Sequence, residues 1–310
     1  MARVVLTSTR TENLNSDINK AVARAFDILD FNFNEKIKQV VIKPNMCYYW
    51  DYSTGETTDP RTVSAVIDYI RNCLGKDVSI LVAEADASAM KTEYAFKILG
   101  YEDLSRTKNV QLVNLSHGDI VDAKVKVEKK EFVLPTNNIL LKADLVINVP
   151  KLKTHQAVGF TCALKNMFGA IAKPRKYAYH KMLSHVIVAA NKIVRSDITI
   201  VDGIIARGSC PKKLGAIIAG NNPLATDFVA AEITGFNPRK IRYLNMAEKE
   251  GIGNVNGIEL FEDSVKMAEI KNRFPSYNYF LHKLSWKLQL KMLRTYVAIV
   301  GDVIPPVLEQ

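Results

Sequence analysis

Short runs rich in valine and isoleucine alternate with amphipathic stretches along most of the chain, and this alternation limits the fold more than any other feature. The runs are nearly all apolar and end in polar or turn residues, as strands buried on both faces do. They occupy residues 39–45, 78–86, 110–116, 144–150, 198–203 and 215–221. The order predicts an α/β fold, with a largely parallel sheet and helices on both faces.

Two of the intervening stretches carry a helix-start signal, a polar residue followed by proline. These are Asp59-Pro60, before residues 61–74, and Asn222-Pro223, before residues 224–234. A polar cap followed by proline in the first turn is a common helix start. We therefore predict helices over both stretches.

Two segments depart from the alternation. Residues 122–135 alternate polar and apolar side chains, which predicts a small antiparallel β excursion. Beyond residue 255 a polar stretch leads into an aromatic, leucine-rich one that also carries His282, Lys283, Lys287, Lys291 and Arg294. We expect an α/β domain over 1–255 and a C-terminal helical extension over 256–310. This extension either packs on the body, joins a sister subunit in a homo-oligomer, or lies on a membrane surface.

Charge and cysteine usage restrict the partners and the compartment. The net charge of +10 favours anionic partners such as nucleic acid, acidic lipid or phosphorylated metabolites. The cysteines show no CxxC pair, so neither a zinc ribbon nor an iron–sulfur cluster is expected. The N-terminus lacks the plan of a signal peptide, and no apolar run approaches the roughly 18 residues that span a bilayer. We expect a cytoplasmic protein.

Lysine stands where the predicted strands end, and ligands of open parallel sheets bind beyond the carboxyl ends of the strands. The first run ends in Lys43, Pro44 and Asn45, the second contributes Glu84, and the fifth ends at Asp202. Turn chemistry explains asparagine or glycine at such positions, but it does not explain lysine. This surplus of positive charge predicts an anion-binding site at the edge of the sheet.

The segment VPKLKTHQAVGFTCALKNMFGA, residues 149–170, adds three lysines and a histidine to an otherwise core-like sequence. If residues 150–155 are extended, Lys151, Lys153 and His155 lie on one face of the strand. Because like charges repel, this face indicates a bound anion. The alternative is a solvated basic loop that leads into a core helix.

An apolar stripe at helical spacing follows and predicts a helix that begins after Gly159. On this helix Thr161 and Lys165 lie one turn apart, at the border of the stripe. The free N–H groups and positive dipole end of the helix would also favour an anion. Asp227, in the first turn of its own helix, either helps to form the site or only stabilises that helix.

Side-chain chemistry assigns the roles. Histidine has a pKa near neutrality and buried lysine a lowered one, so His155, Lys153 and Lys165 are the candidate catalytic residues. The candidate substrate-binding residues are Lys43, Asn45, Lys151, Thr161 and Asn166. Glu84 and Asp202 either hold a divalent metal or position the lysines. The absence of GxGxxG, GxxxxGK[ST] and GxSxG argues against a standard dinucleotide fold, a P-loop NTPase and an α/β-hydrolase.

At these residues the chain resembles the family called domain of unknown function 362 (DUF362). The resemblance rests on VVIKPN, TDPRTV, LVAEAD, the 149–170 segment and VDGIIARGSCPKKLGAIIAGNNPLATD, in that order. It implies an α/β domain without a settled activity. Some relatives attach a ferredoxin-like segment with iron–sulfur motifs, which this sequence lacks. The same segment is similar in layout to the nickel-pincer lactate racemase family, and that likeness implies functional positions at His155 and Lys165.

Three functions follow as hypotheses. The first is an enzyme that acts on a small carboxylate or phosphate ester, by isomerase- or racemase-like chemistry or by phosphate-ester chemistry. The second is a non-catalytic binder of nucleic acid or acidic membrane, based on the positive charge. The third is an accessory protein to an iron–sulfur redox system, which only the resemblance suggests.

Overall fold

The computed structural model describes residues 1–9, 14–88 and 90–280, together with positions 284, 288, 289, 291, 292, 295, 298 and 299. The strands in this part of the chain are β1 (Arg3–Ser8), β2 (Gln39–Pro44), β3 (Ser79–Glu84), β4 (Gln111–Asn114), β5 (Ile120–Val127), β6 (Lys130–Asn137), β7 (Leu145–Val149), β8 (Lys151–His155), β9 (Gly159–Thr161), β10 (Ile198–Arg207), β11 (Pro211–Gly220) and β12 (Glu259–Glu262). The α-helices are α1 (Leu14–Leu29), α2 (Pro60–Leu74), α3 (Thr92–Ile98), α4 (Tyr101–Lys108), α5 (Asn138–Lys142), α6 (Ala163–Met167), α7 (Leu183–Ile193), α8 (Pro223–Ile233), α9 (Arg242–Lys249) and α10 (Met267–Arg273).

One ten-stranded sheet organises the molecule. Its order is β12-β1-β11-β10-β7-β2-β3-β4, and β8 pairs with both β10 and β9 beside this path. Strands β10, β7, β2, β3 and β4 run parallel to their neighbours in that series. Strand β11 is antiparallel to both β1 and β10. The prediction of a largely parallel sheet is confirmed, and all six apolar runs are strands of this sheet.

Helices cover both faces of the sheet, as predicted, because side chains that alternate along each strand enter different cores. In β2, Val40 and Ile42 pack with the apolar side chains of α1 to α4. Val41, between them, points the other way, toward α5 and α6. Helices α7 to α10 complete that second face, beside β1, β10 and β11. This double burial explains why the runs are almost entirely apolar.

Both predicted helix starts are confirmed. The Asp59 side chain accepts a hydrogen bond of 2.9 Å from the backbone N–H of Arg61 and caps α2. The Asn222 side chain caps α8 by accepting from the N–H of Ala225 at 3.0 Å. Each cap satisfies an N–H group that the first turn of the helix leaves without a partner. The β excursion is also confirmed, since β5 and β6 form a separate antiparallel pair.

The predicted C-terminal extension begins inside the sheet architecture. Strand β12 pairs in parallel with β1, and Ile270 of α10 is buried in the main core. The described positions between 279 and 299 are helical. His282, Lys283, Lys287 and Arg294 lie outside the described residues, whereas Lys291 is described and exposed. None of the described helices is both long enough and apolar enough to cross a lipid bilayer.

Candidate functional site

A cavity of about 500 Å³ opens where β2 and β3 end. Strand β2 lies between β3 and β7. After β2 the chain continues on one side of it, through β3 and β4, and later returns on the other side as β7. In open α/β sheets, such a switch point is the usual place for a ligand. The charged side chains that line the cavity are Lys43, Glu56, Glu84, Lys153, Lys165, Lys176 and Arg207. Five of these are cationic and two are carboxylates, so positive charge is in excess.

The floor of the cavity is the ion pair between Lys43 and Glu84. The Lys43 ammonium lies 2.9 Å from both carboxylate oxygens and also donates to the Pro44 carbonyl at 3.0 Å. The Lys43 side chain is fully buried and that of Glu84 is 4% exposed. All three N–H groups of this lysine therefore have partners within the protein. Close packing continues above the pair, since a Cβ at Gly169 would lie 2.9 Å from the Lys43 nitrogen.

A second carboxylate that lines the cavity, Glu56, forms ion pairs with two cations, Lys153 and Arg207. Its oxygens lie 3.0 Å from the Lys153 ammonium and 2.9 Å from the Arg207 guanidinium. Lys153 also donates to the Glu56 carbonyl at 2.7 Å. Burial acts to lower the pKa of Lys153, but Cys47 and Glu56 beside it raise the pKa above its usual value. Lys153 is therefore a permanent cation, and this cluster keeps one unit of positive charge.

Lys165 and Lys176 carry the other two units of the cavity's excess positive charge. Neither forms an ion pair with any carboxylate in the described part of the chain. The Lys165 ammonium lies 5.7 Å from the centre of the Phe168 ring, and Lys176 donates to the carbonyl of Asp86. Burial, together with the nearby ammonium of Lys153, lowers the pKa of Lys165 to about 8. Burial likewise lowers the pKa of Lys176 to about 8.

His155 lies at the end of β8 and also lines the cavity. Its Nδ1 accepts a hydrogen bond of 3.0 Å from the backbone N–H of Ala157, so the ring proton is on Nε2. Burial lowers the pKa of His155 well below its ordinary value, and the neighbouring Lys165 and Lys153 add to this effect. The imidazole is therefore neutral at physiological pH. In this form it carries a hydrogen-bond donor, Nε2, but it is a weak base.

The structure places the predicted polar residues in the same cavity. Asn45, Thr161 and Asn166 all line it, beside Lys43 and Lys153. The Asn45 amide donates to the Glu56 carbonyl at 3.0 Å. The Asn166 amide donates to Asn148 at 2.7 Å and to the Lys43 carbonyl at 3.2 Å. These bonds tie α6 and the loop after β2 to the sheet.

Lys151 does not reach the cavity. Its ammonium lies 2.7 Å from a carboxylate oxygen of Asp202, and both side chains are fully buried. Asp202 also accepts from the backbone N–H groups of Asp59 and Ile204. Lys151 and Asp202 are therefore paired with each other in the core and do not line the cavity.

The two residues predicted to hold a metal are not brought together. Glu84 lines the cavity and is paired with Lys43, whereas Asp202 lies outside the lining and is paired with Lys151. Within the described residues, no group of three or more His, Cys, Asp or Glu side chains is arranged to hold a metal ion. The alternative role from the sequence, in which these carboxylates position lysines, matches the observed contacts.

The predicted helix start near Gly159 is wrong. Residues 159–161 form β9, which pairs with β8 across a tight turn, and Gly159 adopts a φ of +81° there. Helix α6 begins only at Ala163, and the Asp227 carboxylate accepts from the N–H groups of Ala163 and Leu164 at 2.6 and 3.0 Å. Those N–H groups are therefore not available to an anion. Burial raises the pKa of Asp227 to about 7.

Several lining residues were not identified from the sequence. Glu56 lies in the loop before α2, Arg207 ends β10, and Lys176 lies in a short 3₁₀ helix before α7. Each was one polar residue among many in its own segment, with no pattern that set it apart. Cys47 also lines the cavity, and burial raises the pKa of its thiol.

The chain is a member of the DUF362 family, described as domain of unknown function, whose model matches residues 40–232. It is 25% identical over 235 residues to the thylakoid-associated protein sll1697 of Synechocystis sp., covering 71% of this chain and 70% of that protein. Among solved structures it is similar to the lactate racemase apoprotein from Thermoanaerobacterium thermosaccharolyticum, with a TM-score of 0.42 and 14% identity. That match covers 69% of this chain and 53% of the racemase, and a likeness of this size carries no functional argument.

Proposed function

We propose that this chain is an enzyme that binds a small anionic metabolite, a carboxylate or a phosphate ester, in the cavity at the ends of β2 and β3. Lys165 and Lys176 attract the anion, Lys153 and Arg207 widen the positive field, and Lys165 transfers a proton. Both isomerase- or racemase-like chemistry and phosphate-ester chemistry fit this assignment. Nucleic-acid binding and an accessory role beside an iron–sulfur enzyme stay hypotheses drawn from the sequence.

The observation that carries the proposal is that Lys165 and Lys176 line the cavity and form no ion pair with a carboxylate among the described residues. Burying an ammonium group without a carboxylate partner costs free energy, which a bound anion would recover. The cavity volume of about 500 Å³ is within the range of small-molecule sites. Lys43 and Lys153 do not supply this argument, because each already has a carboxylate partner.

Proton transfer is assigned to Lys165 rather than to His155. A group with a pKa of about 8 exchanges protons readily near neutral pH, whereas the depressed pKa of His155 makes its ring a poor base. The neutral imidazole would instead donate from Nε2 to negative charge that develops on the ligand. His155 is thereby a stabilising donor and Lys165 the acid or base.

The test is thermal stabilisation of the purified protein by a panel of phosphates, nucleotides and small carboxylates, with and without divalent metals. A ligand that binds only the folded state raises the melting temperature by mass action. The variant is Lys165→Met, and the matched control is Lys173→Met, which removes an exposed lysine outside the cavity. We expect at least one class to stabilise the wild type and the control but not Lys165→Met.

A carboxylate that passes this test is then incubated with the protein in deuterated water. We expect NMR to detect deuterium at the carbon next to the carboxylate with the wild type and the control, but not with Lys165→Met. Failure of every compound to stabilise the protein, or an unchanged shift in Lys165→Met, would contradict the proposal.

A further inference from the structure

The described positions between 279 and 299, which are helical, carry a stripe of large, exposed apolar side chains. Its described members are Phe280, Leu284, Leu288, Met292 and Ile299, which are 76%, 64%, 62%, 64% and 78% exposed. The first four are spaced by four residues, so on a helix they follow one another along one side. Isolated exposed apolar residues are ordinary, but a continuous apolar stripe marks a surface that contacts something else.

The charge of the surrounding sequence selects the kind of partner. Between Glu269 and Asp302 the sequence contains no acidic residue, and its cationic residues are Lys271, Arg273, Lys283, Lys287, Lys291 and Arg294. An amphipathic helix with this composition suits the interface of a bilayer that contains anionic lipid. A second copy of the same segment would bring like charges together, which disfavours self-association through the stripe.

Aromatic side chains extend this surface to the mouth of the cavity. Gln289 of the segment lines the cavity, and so do Tyr48 and Trp50. These two aromatic residues are 43% and 49% exposed, and their ring centres lie 5.0 Å apart. Tyrosine and tryptophan suit the boundary between water and lipid, because each joins an apolar ring to a polar group.

We propose that the apolar stripe, the exposed Lys291 and the Tyr48–Trp50 pair form a surface that docks this protein on an anionic membrane. The stripe is then buried at the boundary between the lipid headgroups and the acyl chains, and the cavity mouth lies beside it. This inference rests on exposed side chains and on charge, so it does not depend on the proposed reaction.

The test is co-sedimentation of the full chain with vesicles of phosphatidylcholine that contain about one third phosphatidylserine, against vesicles of phosphatidylcholine alone. The variant Leu284→Ser/Leu288→Ser makes the stripe polar. The matched control is Ile98→Ser on α3, because Ile98 is also exposed, at 54%, and does not line the cavity. Both changes are on the surface, and melting temperatures verify that both variants fold.

We expect binding to the anionic vesicles that weakens as salt rises, falls by about tenfold or more in the double variant, and is unchanged in Ile98→Ser. The sequence has two tryptophans, so Trp286→Phe leaves Trp50 as the only one. We expect the emission of Trp50 to shift to shorter wavelength on binding and to be quenched by brominated lipid.

Three results would overturn the inference. One is an absence of binding to anionic vesicles, and another is binding that the double variant retains in full. The third is a dimer, detected by light scattering and lost in the double variant, in a protein that does not bind vesicles. That result would assign the stripe to a second copy of the chain.

Discussion

The buried pair of Lys151 and Asp202 gives the sharpest prediction about stability. The two groups lie 2.7 Å apart and both are fully buried. Lys151→Met removes the ammonium but leaves the carboxylate of Asp202 in the core, where the N–H groups of Asp59 and Ile204 still donate to it. Breaking a buried ion pair in this way costs about 3–5 kcal/mol. We expect the free energy of unfolding to fall by that amount.

Urea denaturation followed by circular dichroism at pH 7 measures this loss. The companion variant Lys151→Met/Asp202→Asn removes both charges, so it leaves no buried charge without a counterpart. We expect this double variant to be less destabilised than the sum of its single substitutions. Because Lys151 lies outside the cavity, Lys151→Met should still respond to the stabilising anion. A variant of wild-type stability that has lost the anion response would refute this reasoning and restore Lys151 to the binding site.

Three further predictions concern the cavity and α6. The pKa of Lys165 is about 8 in the folded protein and 10.5 ordinarily, so its charge destabilises the fold below pH 8 and this effect fades toward pH 10.5. In urea titrations the free energy of unfolding of Lys165→Met should therefore exceed that of the wild type at pH 7, and this difference should shrink at pH 10. A difference that stays constant with pH would contradict the lowered pKa of Lys165. Gly169→Ala should lower the free energy of unfolding by about 1–3 kcal/mol and weaken the stabilisation by the anion, because its Cβ would press on the Lys43–Glu84 pair. An unchanged melting temperature would contradict this close packing. Asp227→Ala should cost about 1–3 kcal/mol in urea titrations, because it leaves the first two N–H groups of α6 unpaired and buried, whereas Asp227→Asn should cost less.

The sequence predicted the body of the sheet well because strands buried on both faces carry a distinctive pattern. Strand β12 carries no such pattern, since as an edge strand it buries little and two of its four residues are glutamate. Strand β9 was mistaken for helix because Phe160 fits the apolar spacing of α6, although the chain reverses at Gly159 first. A spacing rule cannot detect that reversal.

The candidate site was predictable only where one segment supplied several residues. Alternation correctly placed Lys153 and His155 together, but it could not separate them from Lys151. That separation depends on β10, whose Asp202 lies directly opposite Lys151 in the sheet. Glu56 and Arg207 are distant from the motif in sequence, and only the folded chain brings them to Lys153.

The most direct test of the central claim is an NMR titration of the lysine side chains, with the signal of Lys165 assigned by its loss in Lys165→Met. We expect a pKa of about 8 for Lys165 in the free protein. An anion that stabilises the protein should raise this pKa, because a bound negative charge favours the ammonium form. A pKa near the ordinary 10.5 that the anion does not change would contradict the claim that Lys165 binds the anion.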